Sequence, residues 1–175
     1  MEYLDVLDEK GNLTGKKKPR DEVHRDGDWH RTVYVWIMNA QGELLIQKRS
    51  PNKESAPNKW DASAAGHVEA GDWPINAGVR EVKEELGIEL KTEQLQYLFT
   101  DRTFADPAKP FKNNQFNDVF VAKVDVDLSQ IKIQEEEVSE VRFLSINDLK
   151  KEIREGKEDY CNHVIKYIKP FENSG

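Results

Sequence analysis

Gly66-His67-Val68-Glu69-Ala70-Gly71-Asp72 and, further along, Arg80-Glu81-Val82-Lys83-Glu84-Glu85-Leu86-Gly87 bracket the stretch that decides how this chain folds. The first part is a loop with two glycines. The second reads as a helix. Asp72 is a fitting N-cap, Pro74 sits in the first turn where its missing N–H costs little, and Gly87 suits the C-terminal cap. Ile75, Val79, Val82 and Leu86 recur at helical spacing and form the stripe that packs on a core. Glu81 and Glu85 stand at i and i+4, with Glu84 between them, so the three carboxylates share a side off that stripe. Like charges so spaced destabilise a helix by roughly 0.2–0.5 kcal/mol per pair. A cation turns that repulsion into coordination, and hard divalent cations such as Mg²⁺ take oxygen ligands and phosphates together. The pattern points to a carboxylate metal site for phosphate chemistry. The competing reading is a solvated acidic helix face.

Outward from this helix the chain reads as strands and short helices. Glu2 to Leu13 is a hairpin turning at Asp8–Asn12. Lys16-Lys17-Lys18-Pro19-Arg20 reads as an exposed basic loop entering a short helix through Val23. Val33 to Met38 is a buried strand that turns through Asn39–Gly42 into Leu44-Leu45-Ile46. Ser50 to Lys59 is a loop, and Trp60 to Gly66 leads into the charged helix. Leu95 to Phe104 and Phe116 to Val126 read as strands around a proline-bearing loop, Ala105 to Asn114, and Val138 to Leu144 as another strand. Ser145 caps a helix with Asp148 three residues on. A last helix covers roughly Asp159 to Ile168. The expectation is one α/β (α+β) domain over 1–175, a mixed sandwich with a hairpin extension over 1–28 and C-terminal helices over 145–175.

Bulk composition narrows the function. The 175 residues suffice for a core, and 37% hydrophobic with 34% charged residues describes a soluble globular chain. A net charge of -7, from 26 basic and 33 acidic residues, argues against a nucleic-acid polymer on a broad basic face. Small anionic ligands stay compatible through a metal or a local basic patch. The single cysteine, Cys161, excludes an intrachain disulfide and suits a reducing cytoplasm. Met1 to Asp5 is no signal peptide, and no apolar run approaches the roughly 20 residues that span a bilayer. Oligomeric state is left open, a homodimer included.

From Gly66 to Ile88 the chain resembles the box of the Nudix hydrolases: a glycine, five residues, a glutamate, seven residues, then Arg-Glu-apolar-any-Glu-Glu-any-Gly-apolar. Over these 23 residues one fixed position differs, Asp72 for the early glutamate. The resemblance implies an α/β/α sandwich with a mixed central sheet. It implies that Glu81, Glu84 and Glu85 bind Mg²⁺ or Mn²⁺ with the backbone carbonyl of Gly66. Arg80 would hold a glutamate in place, a supporting role shared with Asp72. The implied reaction is hydrolysis of a diphosphate linkage in a nucleoside-diphosphate-type or related small molecule, by water attack on phosphorus. The base is open: Glu81 is one choice, and in related enzymes a glutamate from a later loop serves. Glu135-Glu136-Glu137 is its natural source here, and Glu137 fits that spacing best. Glu81, Glu84 and Glu137 are the candidate catalytic residues.

For substrate binding, His67 follows the loop glycine and is expected to face the cleft. Lys48 and Arg49 end a strand before that loop, either as a phosphate contact or as a surface pair. Trp60 and Phe104 are candidates to line a pocket. Outside the box, His24, His30-Arg31-Thr32, Leu44 to Arg49, Trp60-Asp61 and Ala65-Gly66-His67 resemble isopentenyl-diphosphate isomerases, which share the Nudix fold. His24, His30 and His67 fall close to three of their metal histidines, and Asp118 near their catalytic glutamate. Three such histidines suit a transition metal. Ala65, however, stands where those enzymes carry the catalytic cysteine. Hydrolysis is therefore the leading reading, ahead of the isomerase and of a diphosphate-binding module without turnover.

Overall fold

Val33, Val35 and Ile37 alternate with Trp36 and Met38, and all five are buried. A strand buried on both faces belongs inside a sheet covered on both sides. The computed structural model describes residues 1–172. There this strand is β3 (Trp29–Met38), the middle of a mixed nine-stranded sheet. The remaining strands are β1 (Tyr3–Leu7), β2 (Leu13–Pro19), β4 (Leu44–Arg49), β5 (Trp60–Asp61), β6 (Ala64–His67), β7 (Leu95–Thr103), β8 (Asn114–Lys123) and β9 (Val138–Leu144). The order runs β2-β1-β3-β4-β5, with β6 and β8 also on β3, β7 on β8 and β9 on β4. The β3–β8 pair is parallel along its whole length, and the other pairs are antiparallel. Helices are α1 (Arg20–Asp26), α2 (Pro74–Leu86), α3 (Ile146–Glu155) and the single turn α4 (Val164–Tyr167).

The two faces of the sheet carry separate cores. Val33, Val35, Ile37 and Leu45 pack with Val82 and Leu86 of α2. Trp36, Leu44, Ile46 and Val121 pack with Leu149 of α3 and Val164, Tyr167 and Ile168 near the C-terminal end. Helices on both faces make the expected α/β/α sandwich. On α2 the stripe lies as read: Val82 and Leu86 are fully buried, with Ile75 and Val79 at its margin. Gly87 ends the helix at φ 69°, its N–H donating to the Lys83 carbonyl at 2.9 Å. Leu86→Ala should cost about 2–5 kcal/mol, read as a lower urea midpoint with an unchanged slope.

Several local expectations are corrected. Lys16 to Pro19 is not a loop but the second half of β2, paired with β1 through Leu4–Lys18 and Asp5–Lys17. Lysines are common on edge strands, where charge discourages further pairing, so composition alone resembled a loop. Asp72 is not the N-cap; Trp73 is, and Pro74 begins the helix. Asp72 instead accepts from the Trp73 amide at 2.8 Å and the Asn76 side chain at 3.2 Å, bracing the turn before the helix. The last helix does not start at Asp159. Trp60 donates its N–H to the Asp159 carbonyl at 2.8 Å and accepts from the Cys161 N–H at 2.9 Å, holding 159–161 extended against β5. Positions 173–175 of the expected C-terminal segment lie outside the described residues.

Candidate active site

The box helix and the Gly66 strand meet at one wall of a cleft of about 890 Å³. α2 sets its three carboxylates in unequal positions. Glu81 is nearly covered, Glu84 is half exposed, and Glu85 is buried at 4% exposure. Glu85 accepts from the Gln47 side-chain amide on β4, which also donates to the Ser63 carbonyl at 3.0 Å. The sequence does not single out Gln47, because an amide in an apolar strand carries no motif. The Glu81 carboxylate lies against Gly66: a Cβ there would stand 2.1 Å from Glu81 Cδ. Only a glycine leaves that room. Arg80 donates to Glu81 Oε1 at 2.9 Å and to the His67 carbonyl at 2.9 Å, and lies 3.7 Å from Glu84. It ties the helix to the end of β6.

Electrostatics mark this wall as short of positive charge. Burial pushes Glu81 up to about 7; Arg80 opposes the shift, while Glu84, Glu2 and Glu137 add to it. Glu85 is held well above the ordinary carboxylate range, by burial first and then by Glu81, against the Gln47 hydrogen bond. Two buried acids whose charged forms are this costly fit a cation-binding oxygen set. The room reserved at Gly66 fits the same purpose.

Glu137 and Glu136 also line the cleft, and Lys53 from the loop after β4 pairs with Glu137. Arg49 lines it too, donating to the Ser55 carbonyl at 3.0 Å and standing 3.6 Å from Asp61. Lys48 falls on the opposite side of β4, with Leu44 and Ile46, and does not line the cleft. Lys48→Ala should leave kcat/KM within about twofold of wild type, whereas Arg49→Ala should raise KM about tenfold or more, the scale of one charged hydrogen bond; steady-state kinetics separates them. Trp60 is core, 2% exposed, with the Arg142 guanidinium 4.4 Å from its ring centre. Phe104 is exposed and packs on Trp29, away from the cleft residues.

His24, His30 and His67 do come together, their ligand atoms within 4.8 Å of one another. Nδ1 of His24 and of His30 each meets a backbone carbonyl at 3.0 Å. A carbonyl only accepts, so these rings hold their proton on Nδ1 and keep a lone pair on Nε2. Gln115 donates to Nε2 of His30 at 3.3 Å, and the buried Nε2 of His24 has no hydrogen-bond partner among the described residues. Burial lowers all three: His24, His30 to about 4, and His67 well below its usual value. Neutral imidazoles backed by carbonyls suit a borderline transition metal rather than Mg²⁺. Asp118, by contrast, faces the other side of β8, paired with Arg31 at 2.8 Å. On the opposite face of β8, Gln115 lines the cleft and meets His30, while Asn117 is buried against Thr32, Thr103 and Tyr167.

A family model described as the NUDIX domain matches residues 28–163. Nudix hydrolase 3 of Arabidopsis thaliana is 43% identical over 148 residues, 82% of this chain. That match covers 19% of the plant protein, so the chain spans about a fifth of that relative's length. An isopentenyl-diphosphate Δ-isomerase of Streptomyces griseus is 32% identical over 149 residues, covering 83% of this chain and 72% of the isomerase. Among solved structures, a Deinococcus radiodurans protein superposes with a TM-score of 0.76 at 24% identity, over 98% of this chain and 100% of that one. That last likeness is one of fold.

Proposed function

The chain belongs to the Nudix hydrolase family, on its isopentenyl-diphosphate-isomerase-like branch, and from that premise we propose that it hydrolyses a diphosphate linkage in a nucleoside-diphosphate-type or related small molecule. The observation that carries this is the pair of carboxylates withdrawn from solvent, nearly covered Glu81 and buried Glu85, with Glu81 set against Gly66 at the cleft. Glu81, Glu84 and Glu85, with the Gly66 carbonyl, would hold Mg²⁺ or Mn²⁺. Bound there, the cation supplies neutralisation of phosphate oxygens and a lower pKa for water. Arg80 keeps Glu81 oriented, and Gln47 does the same for Glu85. Glu137, which shares the cleft, stands as the acceptor for the proton of the attacking water as the new P–O bond forms and the anhydride P–O bond breaks. Arg49 takes a phosphate oxygen. The histidine cluster offers a second metal position for a softer ion.

Phosphate release from nucleoside diphosphates and isopentenyl diphosphate, read directly, and from nucleotide sugars, dinucleoside polyphosphates and coenzymes, read after alkaline phosphatase frees the phosphate of the monoester products, tests the reading, each with Mg²⁺ and Mn²⁺. Metal-dependent release that Glu84→Gln abolishes supports it. Isomerised isopentenyl diphosphate without phosphate release would overturn it. Two observations weigh against the isomerase: Ala65 lines the cleft where a thiol would be needed, and Asp118 points away.

A further inference from the structure

We propose that Asp61, Cys161 and His163 form a separate site for a thiophilic divalent metal ion of the zinc class, on a different part of the cleft wall from the carboxylates of α2. All three side chains line the cleft, and their ligand atoms lie within 4.8 Å of one another. Around a tetrahedral ion with Zn–S near 2.3 Å and Zn–N and Zn–O near 2.0–2.2 Å, ligand atoms stand roughly 3–4 Å apart. The three ligand atoms already lie within 4.8 Å of one another, and His163 Nε2 and Asp61 Oδ1, now 2.6 Å apart, would separate slightly to take an ion between them.

The backbone builds this site deliberately from distant segments. The extended pairing of 159–161 against Trp60 delivers Cys161 beside Asp61, and the next turn brings in His163. His163 Nε2 sits 2.6 Å from Asp61 Oδ1, and Cys161 Sγ lies within 4.8 Å of the ligand atoms of both. Arg49, 3.6 Å from Oδ2, and the Ala62 amide, 2.7 Å from Oδ1, brace the carboxylate from behind. Ligating carboxylates typically carry such outer support. A cysteine–histidine relay would place the imidazole between thiol and carboxylate. Here thiol and imidazole converge on the same carboxylate, which makes a tripod. One sulfur, one nitrogen and one oxygen form a set suited to zinc or cobalt and not to magnesium. Three protein ligands leave a fourth position, and it opens into the cleft. Binding exchanges the Cys161 S–H bond for a sulfur–metal bond and releases that proton to solvent.

This site does not depend on the hydrolase reading, and its test is optical. The chelator-treated full chain is titrated with Co²⁺ in excess Mg²⁺. Cys161 is the chain's one cysteine, so a thiolate-to-cobalt charge-transfer band reports on this site alone. The expected result is a band that saturates at the amplitude of one thiolate–cobalt bond per chain, whatever cobalt the histidine cluster takes up, and vanishes on adding Zn²⁺. Cys161→Ser should lose the band, and His163→Ala should weaken the affinity read from it at least about tenfold. His67→Ala, which breaks the other cluster, should keep it. Cobalt bound to folded wild type without the band overturns the proposal, whether or not the variants fold. A band whose affinity is unchanged in His163→Ala, or lost in folded His67→Ala, does the same.

Discussion

Glu81→Gln is expected to lower kcat on the order of 10³-fold, the scale of losing one preorganised charged group at the reacting centre, and to stabilise the metal-free protein at pH 8. The two effects have one cause. Glu81 is held by Arg80 against Gly66, where burial raises it from 4.5 to about 7. An acid raised on folding contributes its full stability below its unfolded pKa and loses it as pH rises through the folded one. For Glu81 that window runs from 4.5 to about 7. Thermal melts in chelator should therefore show wild type losing stability across the window, with Glu81→Gln flatter. Glu85, also raised, acts in the same direction. Mn²⁺ should restore the wild-type melting temperature at pH 8 and shift the variant much less. Wild-type kcat in Glu81→Gln, with the metal-induced shift intact, would remove Glu81 from the metal site.

Gly66→Ala should reduce kcat/KM about 10²-fold while the protein still folds. The new Cβ would stand 2.1 Å from Glu81 Cδ and 2.3 Å from Oε1, so the carboxylate has to leave its place. A displacement of about 1 Å in a catalytic group costs on the order of 10²-fold. The fold should survive, because the three atoms met are the flexible end of one side chain and not backbone. Mn²⁺ titration by calorimetry should show weaker binding in the variant. Unchanged affinity together with unchanged kcat/KM would mean that the close approach has no part in the site.

Much of the fold was legible because its determinants are local. The 3.6-residue spacing of Ile75, Val79, Val82 and Leu86 marked the buried side of α2, and Gly87 marked its end. The run Val33 to Met38 marked the central strand, and Val138 to Leu144 was read with its observed bounds. Misreadings fell where composition and context disagree. Lysines on an exposed edge strand resemble a loop. Ala64 to His67, short and poor in β-branched residues, becomes a strand only because β3 pairs with it. Helical-looking residues after Asp159 are held extended by Trp60.

By itself the sequence determined the carboxylate helix, its glycine loop and the register between them, because spacing along a helix sets which side chains share a side. Tertiary structure decided what those groups experience. Glu85 is buried on Gln47 while Glu84 stays half in solvent, a difference that spacing does not encode. Strand alternation within the folded sheet turned Asp118 and Lys48 away from the cleft and Gln47 toward Glu85. His24 meets His30 and His67 only once α1 docks beside β3 and β6, and His163 reaches Asp61 across 102 positions of chain. Such meetings depend on which strands pair and on what covers the sheet, and packing, not local periodicity, settles both.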